Sequence, residues 1–305
     1  MRVLVLGGTE FTGPFVVREL LDGGHDVAVF HRGRHEHPLT TGARHVHGDF
    51  DEFERHVREL RSLQPQVVVD MRAFRREEAR RVLEFKGVAK RAVVASSADV
   101  YRAYGRLHRT EPGPPDPLPL TEDSPLREIV IKEDYDKVGV EREARADPNF
   151  PVTVLRLPAI HGPGDYLHRL HEYVRAMDDA APTIEIDREL ATWRWVRGYV
   201  EDVAHAIGLA ATDDRAAGRT YNVADPVAFS EEEWVRRIAA AHGWEGELVY
   251  VTKEHAWDLR QDYVVDSAQI REELGYAETV DADEALRRTI EWERSHPPDE
   301  LESSA

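Results

Sequence analysis

The sequence predicts an α/β protein, a doubly wound and mostly parallel sheet with a smaller C-terminal lobe. Three observations carry that expectation. Apolar runs of strand length alternate with helical patterns through the first half of the chain. A glycine-rich turn, Gly7-Gly8-Thr9-Glu10-Phe11-Thr12-Gly13, joins the first strand to the first helix. Beyond Gly162 the alternation weakens, as a lobe added to the sheet would have it.

The elements follow in order. Arg2 to Leu6 is a strand, Phe15 to Leu21 a helix with one apolar face, and Val27 to Phe30 a second strand ending in His31-Arg32-Gly33-Arg34. Ala43 to His47 is a third strand leading to Gly48-Asp49-Phe50. Helical patterns at 53–63 and 77–85 alternate with strands at 67–69 and 92–95. Six prolines between Arg106 and Pro125 mark a surface loop or a lid. Ile129 to Arg145 reads as a helix despite Gly139, and Val152 to Arg156 as a strand. Further on, 167–177 and 199–211 read as helices, and 183–197 as strand-like pieces in which Trp193 and Trp195 share a face. Tyr221 to Ala224 and 248–251 are short strands. The helix over 229–242 is entered at Ser230, with Glu233 three residues on, a capping box. Helices at 270–274 and 282–293 close the chain.

Composition excludes several classes. Among 305 residues there is no Cys, which removes disulfides, a thiol nucleophile and thiolate metal sites. A formal charge of −18 repels nucleic acid. No apolar run reaches membrane-spanning length, and the N-terminus reads as a strand rather than a leader, so the expected location is cytoplasmic. No metal site is expected. The histidines at 25, 31, 35, 37, 45 and 47 are spread over two strands and a loop, and His168 and His171 lack a supporting carboxylate.

Between Gly7 and Gly13 the strand–turn–helix context gives a dinucleotide site its parts. Gly7 serves the sharp exit from the strand, Gly8 and Thr9 shape the turn, and Gly13 lets the helix pack close. Glu10 stands where the middle glycine of a G-x-x-G-x-x-G run would be, with Phe11 beside it. Helix-start amides then face the pyrophosphate. At the end of the second strand, His31 and Arg32 replace the carboxylate that selects NAD, so NADP is favoured, with NAD as the alternative. Asp49, with Phe50, is placed for the adenine or else caps a helix.

These pieces resemble the extended short-chain dehydrogenase/reductases, the NAD-dependent epimerase/dehydratase family. The resemblance rests on the glycine turn, Gly48-Asp49, Ser96-Ser97 with Val100-Tyr101, and Arg156 through Gly162-Pro163-Gly164. Val200-Glu201-Asp202-Val203-Ala204, Tyr221-Asn222-Val223, Leu274-Gly275-Tyr276 and Thr289 to Trp292 extend it over nearly the whole chain. It implies an NAD(P)-binding Rossmann domain over 1–162 and a substrate-binding lobe over 163–305, with segments around 198–225 returning to the first. It also implies a small-molecule substrate, often nucleotide-activated sugar, and a homodimer paired through the helix after the proline-rich loop.

The resemblance further implies a Tyr four residues before a Lys as acid/base, with a Ser orienting the substrate oxygen. Here Ser97 and Lys137 match, and Lys137 would also hold the nicotinamide ribose. Glu133 stands four residues before Lys137, however, and Tyr135 only two before it. Two positions turn a helix by about 200°. The acid/base is therefore Glu133, or Tyr135 bending in from an irregular first turn if the helix shifts or starts between Glu133 and Tyr135, or a tyrosine from elsewhere such as Tyr101 or Tyr104, or it is lost. Asp70 and Met71 end the fourth strand beside the cofactor. Arg72, Tyr101, His161 and Arg197 are candidates for substrate contact, and Arg156 and Asp202 for structural roles. The function expected is nicotinamide hydride transfer at a hydroxyl or carbonyl carbon of a polar, sugar-like substrate. The rival is a non-catalytic NADP-binding sensor or interaction protein.

Overall fold

A computed structural model describes residues 1–298. Its eleven strands are β1 (Arg2–Leu6), β2 (Asp26–His31), β3 (Arg44–His47), β4 (Val67–Asp70), β5 (Arg91–Ser97), β6 (Val152–Leu157), β7 (Ala159–His161), β8 (Thr183–Asp187), β9 (Arg197–Tyr199), β10 (Thr220–Asn222) and β11 (Glu247–Val251). Seven form one parallel sheet in the order β10-β6-β5-β4-β1-β2-β3. Pairs β8–β11 and β7–β9 stand apart from it.

Alternation along β1 shows why the sheet is covered on both faces. Val3 and Val5 enter one core with Val16, Val17 and Leu20, whereas Leu4 and Leu6 enter another with Phe30, Phe53 and Val82. A parallel strand buried on both sides has no solvated face, hence its unbroken apolar run. Strand order reverses between β1 and β4, and Leu6 pairs with both Phe30 and Asp70. The crevice at these strand ends is where a doubly wound sheet takes its ligand.

The helices are α1 (Thr12–Asp22), α2 (Phe53–Ser62), α3 (Arg102–Leu107), α4 (Lys137–Ala144), α5 (His171–Asp178), α6 (Arg188–Thr192), α7 (Val200–Thr212), α8 (Glu231–His242), α9 (Ala268–Leu274) and α10 (Ala282–Ser295). The capping box at α8 is present: Ser230 Oγ accepts from the Glu233 amide at 3.3 Å, and the Glu233 carboxylate accepts from the Ser230 amide at 2.8 Å. A third core joins α5, α8, α10 and β8 through Val174, Ile186, Trp234, Leu286 and Ile290. Among the described residues no helix is long and apolar enough to cross a membrane.

Several sequence expectations change. The helix expected over 129–145 is only Lys137–Ala144, because Tyr135 and Asp136 are held by backbone bonds to Lys132 and Phe74. The segment 78–85 is a 3-10 helix. The strand-like stretch over 183–197 holds α6, capped by Asp187. The proline-rich loop is strapped down rather than hinged: Leu120 pairs with Val265, and Gln261 accepts from the Asp116 amide.

One buried ion pair ties α4 to the sheet. Arg156 on β6 meets Glu141 with two parallel hydrogen bonds, at 3.0 and 2.9 Å, and Ser96 Oγ donates to the same carboxylate at 2.8 Å. Both side chains are 5 % exposed. Glu141→Ala would leave a buried guanidinium without its partner and should cost about 3–5 kcal/mol in urea unfolding; a loss under about 1 kcal/mol would show that the pair carries nothing.

Candidate active site at the strand ends

Beside β1, Gly7 has φ +80°, the sharp exit that glycine alone adopts freely. A Cβ on Gly13 would lie 2.8 Å from the Gly8 backbone, so only glycine allows that approach. Phe11, at φ 48°, enters α1 without any side-chain cap, and the first turn of the helix carries no acidic residue. Among its leading amides Gly13 donates to Glu10 O at 3.0 Å, and no side-chain cap competes with an anion for the others. Thr9 and Glu10 border the same cleft, together with His31, Arg32, Phe50 and Arg72.

Arg72 lies directly over Gly7, its guanidinium 5.3 Å from the Phe50 ring and 5.5 Å from that of Phe74. Its Nε is buried without a hydrogen-bond partner. A dinucleotide's pyrophosphate fits this cleft: uncapped amides on one side, an unsatisfied cation on the other. Asp70 turns away from it. The carboxylate is wholly buried, accepts from the Arg72 and Ala73 amides at 2.7 and 3.1 Å, and is pushed up by burial. Met71 packs against the core on the α1 side. Asp49 is exposed and accepts from the Asp51 amide at 3.0 Å, capping a 3-10 turn. His31 is buried and bonded to His45, while Arg32 is exposed.

A second group of candidate residues gathers where α4 begins. Asp136 caps that helix, accepting from the Gly139 amide at 2.9 Å. Tyr135 thus precedes the helix and Lys137 opens it, and the 200° separation of two helical positions does not apply. Lys137 Nζ lies 5.7 Å from the centre of the Tyr135 ring. It donates to Ala73 O at 2.7 Å and Ala95 O at 3.0 Å, leaving one N–H free. Glu133 is exposed in the preceding turn and does not line the cavity.

Ser97, Asp99 and Tyr135 share the wall of a cavity of about 610 Å³ with Tyr104, Arg169 and Trp195. Ser97 Oγ accepts from the Asp99 amide at 3.3 Å, and its hydroxyl lies within hydrogen-bonding reach of the Tyr135 and Asp99 side chains. The Tyr135 phenol faces Ser97 and Asp99; burial raises it well above its usual value, and the Asp99 charge raises it further. Asp99 was not singled out from the sequence. Its carboxylate is pushed up by burial, and Oδ1 has no partner. Its place two residues after Ser97 was the available signal.

Other candidates lie outside this cavity. Tyr101 is fully buried, donates to Asn222 Oδ1 at 2.5 Å, accepts from Arg156 at 3.0 Å, and burial raises its phenol to about 12. His161 and Arg197 line a smaller cavity with Glu231 and Trp234. Burial, then Arg197 and Arg169, lower His161 to about 3, so it is a neutral ring. Arg197 is paired with Glu231. Asp202 anchors Thr279 and Val280. Two histidine groups also form: Glu293 joins His168 and His171, whose spacing the sequence offered without a supporting carboxylate, and His31 gathers with Glu36, His45 and His47, which the sequence left spread over two strands and a loop.

A parallel sheet with an anion-ready turn at its switch point, and a serine, tyrosine and buried lysine beside it, defines a dinucleotide-dependent oxidoreductase-type fold. The family model described as NAD dependent epimerase/dehydratase family matches residues 3–224. The chain belongs to that family. It is 29 % identical over 272 residues, 86 % of this chain and 72 % of the relative, to 2'-dehydrokanamycin reductase of Streptomyces kanamyceticus. A stretch of 103 residues is 35 % identical to dTDP-glucose 4,6-dehydratase of Streptomyces griseus, covering 33 % of this chain and 31 % of that one. The fold matches UDP-glucose 4-epimerase from Bifidobacterium longum in complex with NAD+ and UDP, with TM-score 0.74, 18 % identity, and coverage of 97 % and 99 %.

Burial lowers the Lys137 ammonium to about 8 from its ordinary 10.5, with Asp99 and Asp70 opposing. Between those values the unfolded chain binds the extra proton, so stability contributed here rises with pH and is lost as pH falls through that window. Relative to Lys137→Met, the wild-type chain should gain up to about 3 kcal/mol of unfolding free energy from pH 8 to pH 10.5. Urea titrations at both ends read the difference, and a constant difference would rule out a strained ammonium.

Proposed function

We propose that this protein reduces a carbonyl on a polar, sugar-like substrate with NADPH as the preferred hydride donor. The observation that carries the proposal is Tyr135, placed just ahead of α4 and facing Ser97 and Asp99 in the cavity wall. The bound nicotinamide supplies or takes up hydride. Ser97 donates a hydrogen bond to the substrate oxygen and orients it. Tyr135 gives that oxygen its proton as the carbonyl becomes an alcohol. Burial keeps the phenol protonated at neutral pH, the state a proton donor needs. Lys137, through its third N–H, would hold the ribose of the cofactor. The substrate would lie between the nucleotide-binding part, 1–162, and the lobe built mainly after Gly162. The name of the Streptomyces kanamyceticus relative, a reductase, supports this direction.

Asp99 favours a second reading. A buried carboxylate with a free oxygen in the same wall is a base for a carbon acid, as dehydration of a keto sugar would require.

Tyr135→Phe should lower kcat for carbonyl reduction by at least about 100-fold while leaving NADPH binding within about twofold. Glu133→Gln should leave kcat unchanged; if instead it alone abolishes turnover, the carboxylate is the acid and the tyrosine reading fails. For cofactor choice, Arg32 and Arg34 are exposed at the cleft where a 2′-phosphate would lie. Replacing both by Ser should raise KM for NADPH by about tenfold or more and leave KM for NADH unchanged. An equal change for both cofactors would remove the preference.

A further inference from the structure

The chain after Gly162-Pro163-Gly164 and the last helix bring three ligand atoms together outside the reaction cavity. His168 Nδ1 lies 2.8 Å from Glu293 Oε2, and His171 Nδ1 lies 3.8 Å from the same oxygen. All three ligand atoms fall within 4.8 Å of one another. Glu293 is 1 % exposed, and its other oxygen, Oε1, is buried without a hydrogen-bond partner. A carboxylate removed from water needs a cation or a full set of donors, and here His168 meets only Oε2 while Oε1 is left without a partner. The ring that faces it is held deliberately: His168 has φ 48°, and Trp292 stacks on it at 5.2 Å and 21°.

We propose that His168, His171 and Glu293 bind a divalent transition ion of the zinc class. Two imidazoles and one carboxylate suit zinc and its neighbours, whereas magnesium and calcium prefer all-oxygen sites. Metal–ligand bonds of about 2 Å set ligand atoms roughly 3.3 Å apart in a tetrahedron, a spacing that the two measured separations bracket. Both rings are partly exposed, 18 % and 19 %, so water completes the coordination. The ion would staple α10 to the segment carrying Tyr166 and Leu167, which line the reaction cavity.

The other histidine group lacks these features. There the Gly33 amide donates to His31 Nδ1 at 3.2 Å, so His31 Nε2 carries the proton it shares with His45 Nδ1 at 2.8 Å. A ligating histidine uses its nitrogens the opposite way, one on the metal and the other donating outward. Glu36 and His47 are also more than half exposed.

The test is isothermal titration of ZnCl2 into tag-free, full-length protein previously treated with EDTA. One ion per chain is expected, with a higher Tm in zinc and no competition from MgCl2. His171→Asn and Glu293→Gln should each weaken zinc binding by at least about tenfold, and His47→Asn should leave it unchanged. Because Trp292 touches His168, NiCl2 should quench tryptophan emission in the wild type and lose most of that effect in Trp292→Phe. If Glu293→Gln does not fold, the partly exposed His171→Asn still decides. Absence of zinc binding in the wild type, or binding lost in His47→Asn and kept in His171→Asn, would overturn the assignment.

Discussion

The ammonium of Lys137 is bonded to two carbonyl oxygens, one just beyond the end of β4 and one on β5. A buried lysine has few ways to satisfy its donors, and these two acceptors fix where the side chain must sit. The start of α4 follows from that position. Asp136 closes the helix immediately before it, and the Asp136 amide donates back to Phe74 O at 2.8 Å. One turn further on, Glu141 lands against Arg156 and Ser96. The helix is thus fastened at both ends to the strands whose tips form the site, and Tyr135 is left on the chain leading in.

Features governed by neighbouring residues were legible before the structure. The glycine turn, the strand alternation over the first half and the Ser230–Glu233 cap all follow from contacts a few residues long. The start of α4 was not legible. The residues from Ile129 onward carry a helical pattern, but the Lys137 anchor lies 42 and 64 residues earlier, on β5 and just beyond β4. Without that anchor Glu133 and Tyr135 could not be ranked: the sequence pointed to a shift or a helix start between those two residues, whereas the helix begins later, at Lys137. Asp99 escaped notice because its burial, and not its type or spacing, makes it chemically unusual. Glu293 was out of reach for the same reason that it matters: 125 residues separate it from His168.

Charge near the two strand ends is arranged in opposite ways. Around Gly7 the backbone presents uncapped amides, and Arg72 waits with an unsatisfied Nε, so the cleft is short of negative charge. Around Tyr135, Asp99 and Asp70 offset the single buried ammonium. A dinucleotide spanning the crevice would place its pyrophosphate against the first region and its reacting ring near the second. The molecule keeps this contrast although its overall charge is strongly negative, because each region is set by a few residues within contact distance, where solvent screens poorly.

That contrast has a consequence for direction. In the arrangement the family resemblance implies, tyrosine and lysine lie one turn apart on a single helix face, and the cation draws down the phenol. Here the pair spans a helix cap instead. The ammonium spends two of its donors on backbone oxygens, and the charge that acts most on the phenol is the Asp99 carboxylate. A carboxylate stabilises the protonated phenol and opposes phenolate. Oxidation of an alcohol would require Tyr135 to accept a proton as phenolate, the form this site disfavours. Reduction requires it to give one up to a developing alkoxide, a stronger base than phenolate, which the same environment permits. On the proposed role of Tyr135, the displacement by two residues therefore leaves the resting phenol protonated, the form in which it could give a proton to a carbonyl oxygen, with Ser97 beside it in the cavity wall.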